Sequence, residues 1–381
     1  LLAGLALLYR PDLVVAVGLS GAVLWRGLDR PGRGRYAAAL GIGVSPYLVH
    51  LAMAGPGNVV RGLALVPVFE LRGGRRVPLP PSWSHCDGFL QRAGPLIEPP
   101  WPLPAPPPPA QLSLWLGLLV AANVALVVAG IHALRRRGNR WLLAMALFSA
   151  GLLPQAFQRA DSTHLAWVSC VPLGLLPAAV AEAVRGWRPG WSRARTGLVA
   201  AAAPVLATLA LAPHFTWAVY GDYAARSVGV RELAAGTIRR GDRIFPYGRL
   251  DAVRAVNDML PDVERVMRPG DSLFVGTGDL RKTPYSEAFL YYLLPELEPA
   301  TRYIEMDPGM ANAADSGMAD ELRNADIAIL SSIRDDWDEP NDSAEFGPDE
   351  PNQVIEDDFC LVGSYGEGLS GRGLYELYRR C

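Results

Sequence analysis

A short polar stretch, FQRADSTHLAW (157–167), contains side chains that can do chemistry. The planar guanidinium of Arg159 can donate two parallel hydrogen bonds, which suits a phosphate or pyrophosphate. His164 can donate to a phosphate or shuttle a proton. Asp161 can orient the arginine, bind a metal, neutralise the arginine, or serve only as the N-cap of the following helix. Gln158 has no role that its type suggests.

A second cluster repeats the same spacing, because LLYRPDLVV (7–15) places Asp12 two residues after Arg10. Ionisable groups at membrane depth are costly and usually face a cavity, a partner or a substrate. The alternative is an arginine that reaches toward lipid headgroups. Two such clusters on one face favour a site that holds a phosphate.

Apolar runs of about membrane-spanning length fill the first 218 residues. An α-helix needs about 20 residues to cross a hydrocarbon core of ~30 Å. The sequence therefore predicts a multi-span α-helical membrane protein with about six transmembrane helices. Because the chain begins with Leu-Leu inside an apolar run, we expect an upstream part to be missing. The predicted spans are 12–27, 36–54, 112–134, 141–157, 164–184 and 198–218, after the end of an earlier one at 1–9.

Arginine-rich connections orient these spans. The segments RGLDRPGRGR (26–35), RRRGNR (135–140) and RGWRPGWSRAR (185–195) belong in the cytoplasm by the positive-inside rule. The connections that alternate with them are then external, and both polar clusters lie on that face. The predicted external segments are 9–12, a long loop at 55–111, 158–163 and everything after residue 218.

The charge balance divides the chain into two parts. Residues 1–218 contain 19 Arg, no Lys and 7 acidic residues, whereas residues 219–381 contain 17 basic and 31 acidic residues. The second part has no apolar run of spanning length. We therefore predict a transmembrane helical core at 1–218, followed by a small extracytoplasmic α/β domain at 219–381.

The pattern of the tail predicts strands that alternate with helices after a junction at 219–250. Such alternation is typical of an α/β layer with a largely parallel sheet. The helix at 251–267 is amphipathic, with Val253, Val256, Leu260, Val263 and Met267 on one side. The other predicted elements are strands at 271–276, 301–306 and 325–332, helices at 283–294 and 316–324, and a C-terminal hairpin around a Gly-rich turn.

The long external loop has two parts. Residues 55–80, GPGNVVRGLALVPVFELRGGRRVPLP, contain apolar residues suited to an interfacial helix or an ordered lid. Residues 98–110, EPPWPLPAPPPPA, predict an extended polyproline II spacer that leads into the next span.

Three further motifs favour structural over functional interpretations. Tyr47 and His50 fall near the outer end of the second predicted span, where a packed and hydrogen-bonded histidine is the commoner arrangement. In LFVGTGDLRK (273–282), Arg281 stands where a dinucleotide fingerprint requires a small residue, so the glycines are expected to shape a turn. The stretch 335–358 predicts a solvated acidic loop.

Within that acidic stretch, Asp336, Asp338 and Asp342 provide the oxygen ligands that calcium prefers, although their spacing matches no EF-hand. The four cysteines are too few for a disulfide framework. Cys360 and Cys381 flank the predicted terminal hairpin, so they either pair in an oxidising compartment or remain two free thiols.

The order of these motifs resembles a known family. The stretches LLYRPDL, GPGNVVRGLALVPVFELRGGRRVPLP, QRADSTHLAW, RKTPYSEAFLYYLLP and IEMDPGMAN are similar to the C-terminal portion of actinobacterial membrane glycosyltransferases of the GT-C class. That class is akin to dolichyl-phosphate-mannose-dependent protein mannosyltransferases and to aminoarabinose transferases. Its members move a sugar from a polyprenyl-phosphate donor to an acceptor on the non-cytoplasmic face.

The resemblance implies roles for the two clusters. Arg10 and Arg159 would hold the lipid phosphate, while Asp12, Asp161 and His164 would act in catalysis or on the acceptor side. The class carries an acidic residue in its first external loop, which would precede residue 1 here. The implied partners are a polyprenyl-phosphate-linked sugar, membrane lipid and a glycan or protein acceptor; a divalent cation is a possible cofactor.

Two other classes of function remain open. A transporter or flippase for a lipid-linked sugar would place ionisable residues in mid-span and show internally repeated hydropathy. A non-catalytic cell-envelope assembly or ligand-binding protein would have a ligand pocket in 219–381 and no cavity beside Arg159. The sequence contains no nucleic-acid-binding patch, Walker loop, nucleophile elbow or paired-cysteine metal site.

Overall fold

The computed structural model describes residues 1–70, 72–79, 82–93, 107–211, 221–222, 224–232, 234–368 and 371–381. The chain forms two compact units. One contains Leu1–Pro67 with Val77–Val219, and the other contains Val68–Arg76 with Tyr220–Cys381. The short segment Val68–Arg76, which the sequence assigns to the long external loop, thus groups with the C-terminal unit.

Helices make up the described part of the first unit and its long loop. Two segments have other helical forms: Pro11–Leu13 is a 3₁₀ turn, and Arg61–Glu70 is π-helical. The α-helices are α1 (Leu2–Tyr9), α2 (Val14–Trp25), α3 (Arg30–Val44), α4 (Tyr47–Ala54), α5 (Pro56–Val60), α6 (Arg72–Arg75), α7 (Phe89–Ala93), α8 (Pro108–Arg137), α9 (Trp141–Ala150), α10 (Leu153–Gln158), α11 (Ser162–Trp187) and α12 (Arg193–Leu211).

Three described helical segments are long and apolar enough to cross a membrane, namely Pro109–Arg137, Trp141–Gln158 and Ser162–Trp187. The pair α3 and α4 is bent by 46° and counts as a fourth if it forms one span. The segment Pro11–Trp25 is apolar but shorter. The chain therefore contains apolar helices of membrane-spanning length together with a separate α/β unit.

Small and polar residues join the long helices. A Cβ atom added at Gly130 in α8 would lie 2.6 Å from the Leu143 Cα in α9, so the glycine permits close backbone approach. Trp115 in α8 is fully buried, and its indole N–H donates to the Ser169 hydroxyl in α11 over 2.9 Å. The first contact joins α8 to α9, and the second joins α8 to α11, whose N-terminus carries the central polar stretch.

The polyproline prediction for 98–110 falls largely outside the described residues. At its end, α8 begins at Pro108, four residues before the predicted start of the span at 112. A proline is tolerated in the first turn of a helix, because the missing N–H would have had no intrahelical partner there.

The second unit is built on a five-stranded mixed sheet with the order β4-β3-β5-β7-β6, beside a separate two-stranded hairpin. Its strands are β1 (Gly236–Arg240), β2 (Arg243–Tyr247), β3 (Ser272–Thr277), β4 (Glu298–Pro299), β5 (Ile327–Ser331), β6 (Phe359–Glu367) and β7 (Gly373–Arg380). Its helices are α13 (Leu250–Val266), α14 (Phe289–Leu293), α15 (Met318–Arg323) and α16 (Glu350–Asp358), with a 3₁₀ turn at Asp342–Ala344.

Hydrophobic cores lie on both faces of the sheet, since side chains alternate along each strand. Leu273 and Val275 of β3 pack with α13 on one face, while Phe274 packs with α15 and α16 on the other. Helix α13 buries Val253, Val256, Leu260 and Val263, as its amphipathic pattern predicts. The terminal hairpin is also confirmed, because β6 and β7 pair antiparallel.

Several predictions for the tail are wrong. The sheet is not largely parallel: β3 pairs in parallel with β4 and β5, whereas β7 runs antiparallel to β5 and β6. Residues 301–306 do not form a strand. The Met306 N–H donates to the Tyr303 carbonyl over 3.1 Å, and the Glu305 carbonyl accepts from the Ser286 N–H over 3.2 Å rather than from a neighbouring strand. The predicted helix 283–294 is helical only over Phe289–Leu293.

Two further segments are more ordered than the sequence suggests. The junction at 219–250 contains the β1–β2 hairpin, with Ile238 buried against α13. The acidic stretch 335–358 contains α16, which buries Val354 and Ile355 against the sheet. A few apolar residues among many acids are enough to anchor that helix.

Candidate functional site

The N-terminus of α11 is organised by Asp161. This residue is 1% exposed and caps the helix, because its Oδ1 accepts hydrogen bonds from the backbone N–H groups of Thr163 (3.0 Å) and His164 (3.1 Å). Its other oxygen, Oδ2, contacts the His164 Nδ1 atom at 2.7 Å. Asp161 is therefore both the helix cap and the partner of the histidine.

This pairing defines the chemistry that His164 can perform. With a carboxylate at Nδ1, the proton resides on that nitrogen, and Nε2 is left as the basic position of the ring. The histidine side chain is 20% exposed, and its ring lies 5.3 Å from that of Trp167. An imidazole oriented in this way can accept a proton from a hydroxyl group.

The backbone groups of the residues that precede Asp161 form hydrogen bonds that hold this segment in place. The Gln158 carbonyl accepts a hydrogen bond from the Val77 N–H over 3.0 Å, and the Ala160 carbonyl accepts one from the buried Gln91 side chain over 3.3 Å. Arg159 ends α10, and its N–H donates to the Gln155 carbonyl over 3.1 Å. Gln158 thus has a structural role through its main chain.

The Arg10–Asp12 cluster differs from the Arg159–Asp161 cluster in its pairing. Asp12 receives two hydrogen bonds from Arg10, from Nε over 2.9 Å and from Nη2 over 2.7 Å. This bidentate pair is half exposed. In the Arg159–Asp161 cluster, Asp161 instead binds the helix terminus and His164. The repeated spacing therefore does not produce two equivalent sites.

Gln155 joins the two clusters. Its side-chain amide donates to Asp12, and its main-chain carbonyl accepts from Arg159. The Tyr47 hydroxyl donates over 3.0 Å to the Leu8 carbonyl, near the end of α1. The end of α1, the start of α4 and the junction of α10 with α11 therefore meet at one end of the helical unit.

Sequence reasoning missed the contributions of Gln155, Gln91 and Val77. Gln155 lies four residues before Arg159, a separation at which two residues of a helix share a face. This spacing alone could have placed Gln155 beside the polar stretch. Gln91 and Val77 come from the long loop, and no local pattern links that loop to α11. His50 is exposed, with its ring 6.4 Å from that of Tyr47, so it is not the packed histidine expected at this position.

Among the described residues, no group of three or more His, Cys, Asp or Glu side chains is placed to hold a metal ion. This includes the acidic stretch with Asp336, Asp338 and Asp342. No family model, curated protein or solved structure matches the chain.

Proposed function

We propose that the chain is part of an integral membrane glycosyltransferase that moves a sugar from a polyprenyl-phosphate donor to a cell-envelope acceptor. In this proposal, about six helices span the membrane, and the Arg10 and Asp161 clusters face the outside. The alternation of basic and non-basic connections supports this orientation. The observation that carries the proposal is the Asp161–His164 pair, placed directly after Arg159 and linked through Gln155 to Arg10 and Asp12.

Each group has a defined task in the proposed transfer. The bond between the anomeric carbon and the phosphate oxygen breaks, and the acceptor hydroxyl oxygen bonds to the anomeric carbon. The acceptor proton moves to Nε2 of His164, while Asp161 stabilises the imidazolium that forms. Arg159 and Arg10 stabilise the negative charge that remains on the lipid phosphate.

Arg10 can serve in this way while it stays paired with Asp12. Asp12 occupies the Nε and Nη2 donors, and a guanidinium has five N–H donors. The remaining donors on Nη1 are then the ones that a phosphate would use. Asp12 keeps the arginine in a fixed orientation, which makes it a positioning residue.

The disulfide between Cys360 and Cys381 supports an external α/β unit. It joins the start of β6 to the residue after β7, across the terminal hairpin. Stable disulfides are typical of oxidising compartments and rare in the cytoplasm. Together with the acidic composition of residues 219–381, this favours placement of that unit on the outer face.

The test uses membranes that contain the full-length protein and a radiolabelled polyprenyl-phosphate sugar. We expect Arg159→Ala to abolish transfer, since it removes the phosphate contact, while thermal stability in detergent changes little. His164→Gln should lower turnover by about 100-fold or more, because general base catalysis contributes about 10²–10⁴-fold.

The matched control is Arg136→Ala, which removes an exposed arginine from the opposite, basic end of the helical unit. This variant should transfer sugar at the wild-type rate. Unchanged turnover in Arg159→Ala would refute the phosphate role. An unchanged rate in His164→Gln would refute the role of His164 as the general base.

A further inference from the structure

An open cavity of about 670 Å³ lies within the α/β unit. The loop that follows β3, residues 278–282, forms one wall, and Arg334 and Asp335, which follow β5, form another. β3 and β5 are parallel neighbours, so their carboxyl ends meet at this edge of the sheet. Open α/β sheets commonly bind ligands in the crevice outside the carboxyl ends of their strands.

Strands β6 and β7, together with α16, contribute further lining residues to the cavity. Along β7, Glu376 and Tyr378 line the cavity, whereas Tyr375 and Leu377 belong to the core on the opposite face. Two apolar side chains on the lining are exposed, Phe346 at 64% and Leu361 at 56%. Their apolar surface borders the polar groups of the cavity, a combination that is common in the lining of ligand pockets.

Hydrogen bonds fix the polar groups of the first wall. Asp279 accepts from Arg281, from Nη2 over 2.7 Å, and from the Asn352 amide over 2.9 Å. Asn352 in turn accepts from the Leu280 N–H over 3.0 Å. Arg372 donates to the Gly278 carbonyl over 2.8 Å. The donors and acceptors of this wall are thus held in place before any ligand arrives.

Charges of both signs line the cavity in nearly equal number. The cationic side chains are Arg281, Lys282, Arg334 and Arg372, and the carboxylates are Asp279, Asp335, Asp349, Glu356 and Glu376. An anionic ligand would meet five carboxylates, and a cationic ligand would meet four positive groups. The lining therefore favours a neutral ligand that both donates and accepts hydrogen bonds.

We propose that this cavity binds a neutral saccharide. Each sugar hydroxyl both donates and accepts a hydrogen bond, which matches alternating carboxylate and guanidinium groups. The C–H faces of the sugar rings would pack on Phe346, Leu361 and Ile355. This site lies entirely within the α/β unit, and the proposal does not depend on transferase activity of the helical unit.

Asp335 is the acceptor that is best prepared for a hydroxyl group. No side chain among the described residues donates a hydrogen bond to it, although Arg372 lies near enough to interact electrostatically. Its two oxygens lie 3.4 Å from where a Cβ atom at Gly278 would stand, so the glycine leaves the carboxylate accessible. Partial burial, with repulsion from Asp279 and Asp336, raises the pKa of Asp335 to about 6.

Lys282 provides a direct probe, because it is the only lysine in this sequence and it lines the cavity. A ligand that fills the cavity should shield its amine from acetic anhydride. Peptide mass spectrometry reports the labelling of Lys282 separately from any other amine.

The experiment screens the full chain in detergent against a printed array of neutral di- to tetrasaccharides of glucose, galactose, mannose and arabinose. We expect at least one to bind and, at saturation in solution, to slow acetylation of Lys282 at least fivefold. Glu376→Gln and Arg372→Ala should weaken that binding about tenfold or more, because each removes a charged hydrogen-bonding group. The matched control is Glu264→Gln on α13, whose carboxylate pairs with Arg240 of β1, and it should bind normally.

The possible results separate this proposal from the transferase. His164→Gln should leave saccharide binding and the protection of Lys282 unchanged, even where it abolishes transfer. Three results would overturn the saccharide site: no array sugar binds, a sugar binds without protecting Lys282, or only zwitterionic peptides such as dialanine compete for the cavity. Glu376→Gln retains an oxygen that can accept from the Tyr378 hydroxyl, so it tests binding if Arg372→Ala fails to fold.

Discussion

Two carboxylates on the same cavity are expected to affect stability in opposite directions. Hydrogen bonds from Arg281 and Asn352 outweigh partial burial at Asp279 and lower its pKa from 3.8 to about 2. Partial burial and neighbouring carboxylates instead raise the pKa of Asp335 from 3.8 to about 6. We therefore predict that Asp279→Asn destabilises the α/β unit at pH 7, whereas Asp335→Asn leaves it unchanged or stabilises it.

The magnitudes follow from linkage between protonation and folding. A folded-state pKa below the unfolded value stabilises the protein above pH 3.8, and that contribution disappears as the pH falls toward 2. For Asp279 the difference corresponds to about 2.4 kcal/mol at ~1.4 kcal/mol per pKa unit. Because its side chain is 33% exposed, we reduce the expected loss in Asp279→Asn to roughly 1–2 kcal/mol.

The sign is reversed for Asp335. Its folded-state pKa lies above the unfolded value, so the free energy of unfolding decreases as the pH rises from about 4 to about 6. Asp335→Asn removes this decrease. The residue as a whole remains exposed to solvent, although its carboxylate lies in the partly enclosed cavity. Solvent screening therefore limits the expected gain to no more than about 1 kcal/mol at pH 7. At pH 4 the variant and the wild type should be nearly equal.

Hydrogen exchange of the β3 and β5 amides in the full chain measures both effects. A loss of roughly 1–2 kcal/mol lowers protection about 5- to 30-fold at pH 7 in Asp279→Asn. Asp335→Asn should show equal or greater protection than the wild type. Changes of the same sign in both variants would refute the assignment of opposite environments. An unchanged difference between wild type and Asp335→Asn at pH 4 and pH 7 would refute the linkage.

Three further predictions concern packing and local structure. A Cβ atom at Gly74 would collide with the Pro308 carbonyl, so Gly74→Ala should increase protease cleavage of the segment 68–76. Gly248→Ala, where the space is open, should not; equal cleavage in both would contradict the packing. Asp161→Ala should lower the free energy of unfolding by about 1–2 kcal/mol through loss of the cap, and an unchanged thermal midpoint in detergent would contradict it. Replacing both Cys360 and Cys381 by Ser should cost about 3 kcal/mol for a loop of 21 residues; an unchanged denaturation midpoint in urea would show that the bridge adds no stability.

Local patterns predicted the elements that local forces determine. The helix expected at 251–267 occurs at Leu250–Val266, and the strands expected at 271–276 and 325–332 occur at Ser272–Thr277 and Ile327–Ser331. In each, the spacing of apolar residues specifies the buried face. The capping role considered for Asp161 is also local, since its partners lie two and three residues along the chain.

The features that the sequence did not reveal depend on distant partners. Residues 301–306 have strand-like composition, but β4 takes only Glu298–Pro299 at that edge of the sheet. The antiparallel insertion of β7 beside β5 depends on the path of the chain over more than 40 residues. The cavity likewise combines loops after β3 and β5 with α16 and β7, and no single stretch of sequence contains its pattern.

The α/β unit is built from two segments that are far apart in the sequence, and this affects its biosynthesis. Arg75, in the segment Val68–Arg76, pairs with Asp307 across 232 residues of sequence. At about 5–20 residues per second, the ribosome needs roughly 10–50 s to produce that partner after Arg75 has been made. During this interval the segment has been synthesised but its partner residues in the C-terminal part have not, while later apolar helices are still being made. A recombinant fragment that starts at residue 220 would lack the segment permanently, so the natural folding unit is not one continuous piece of the gene.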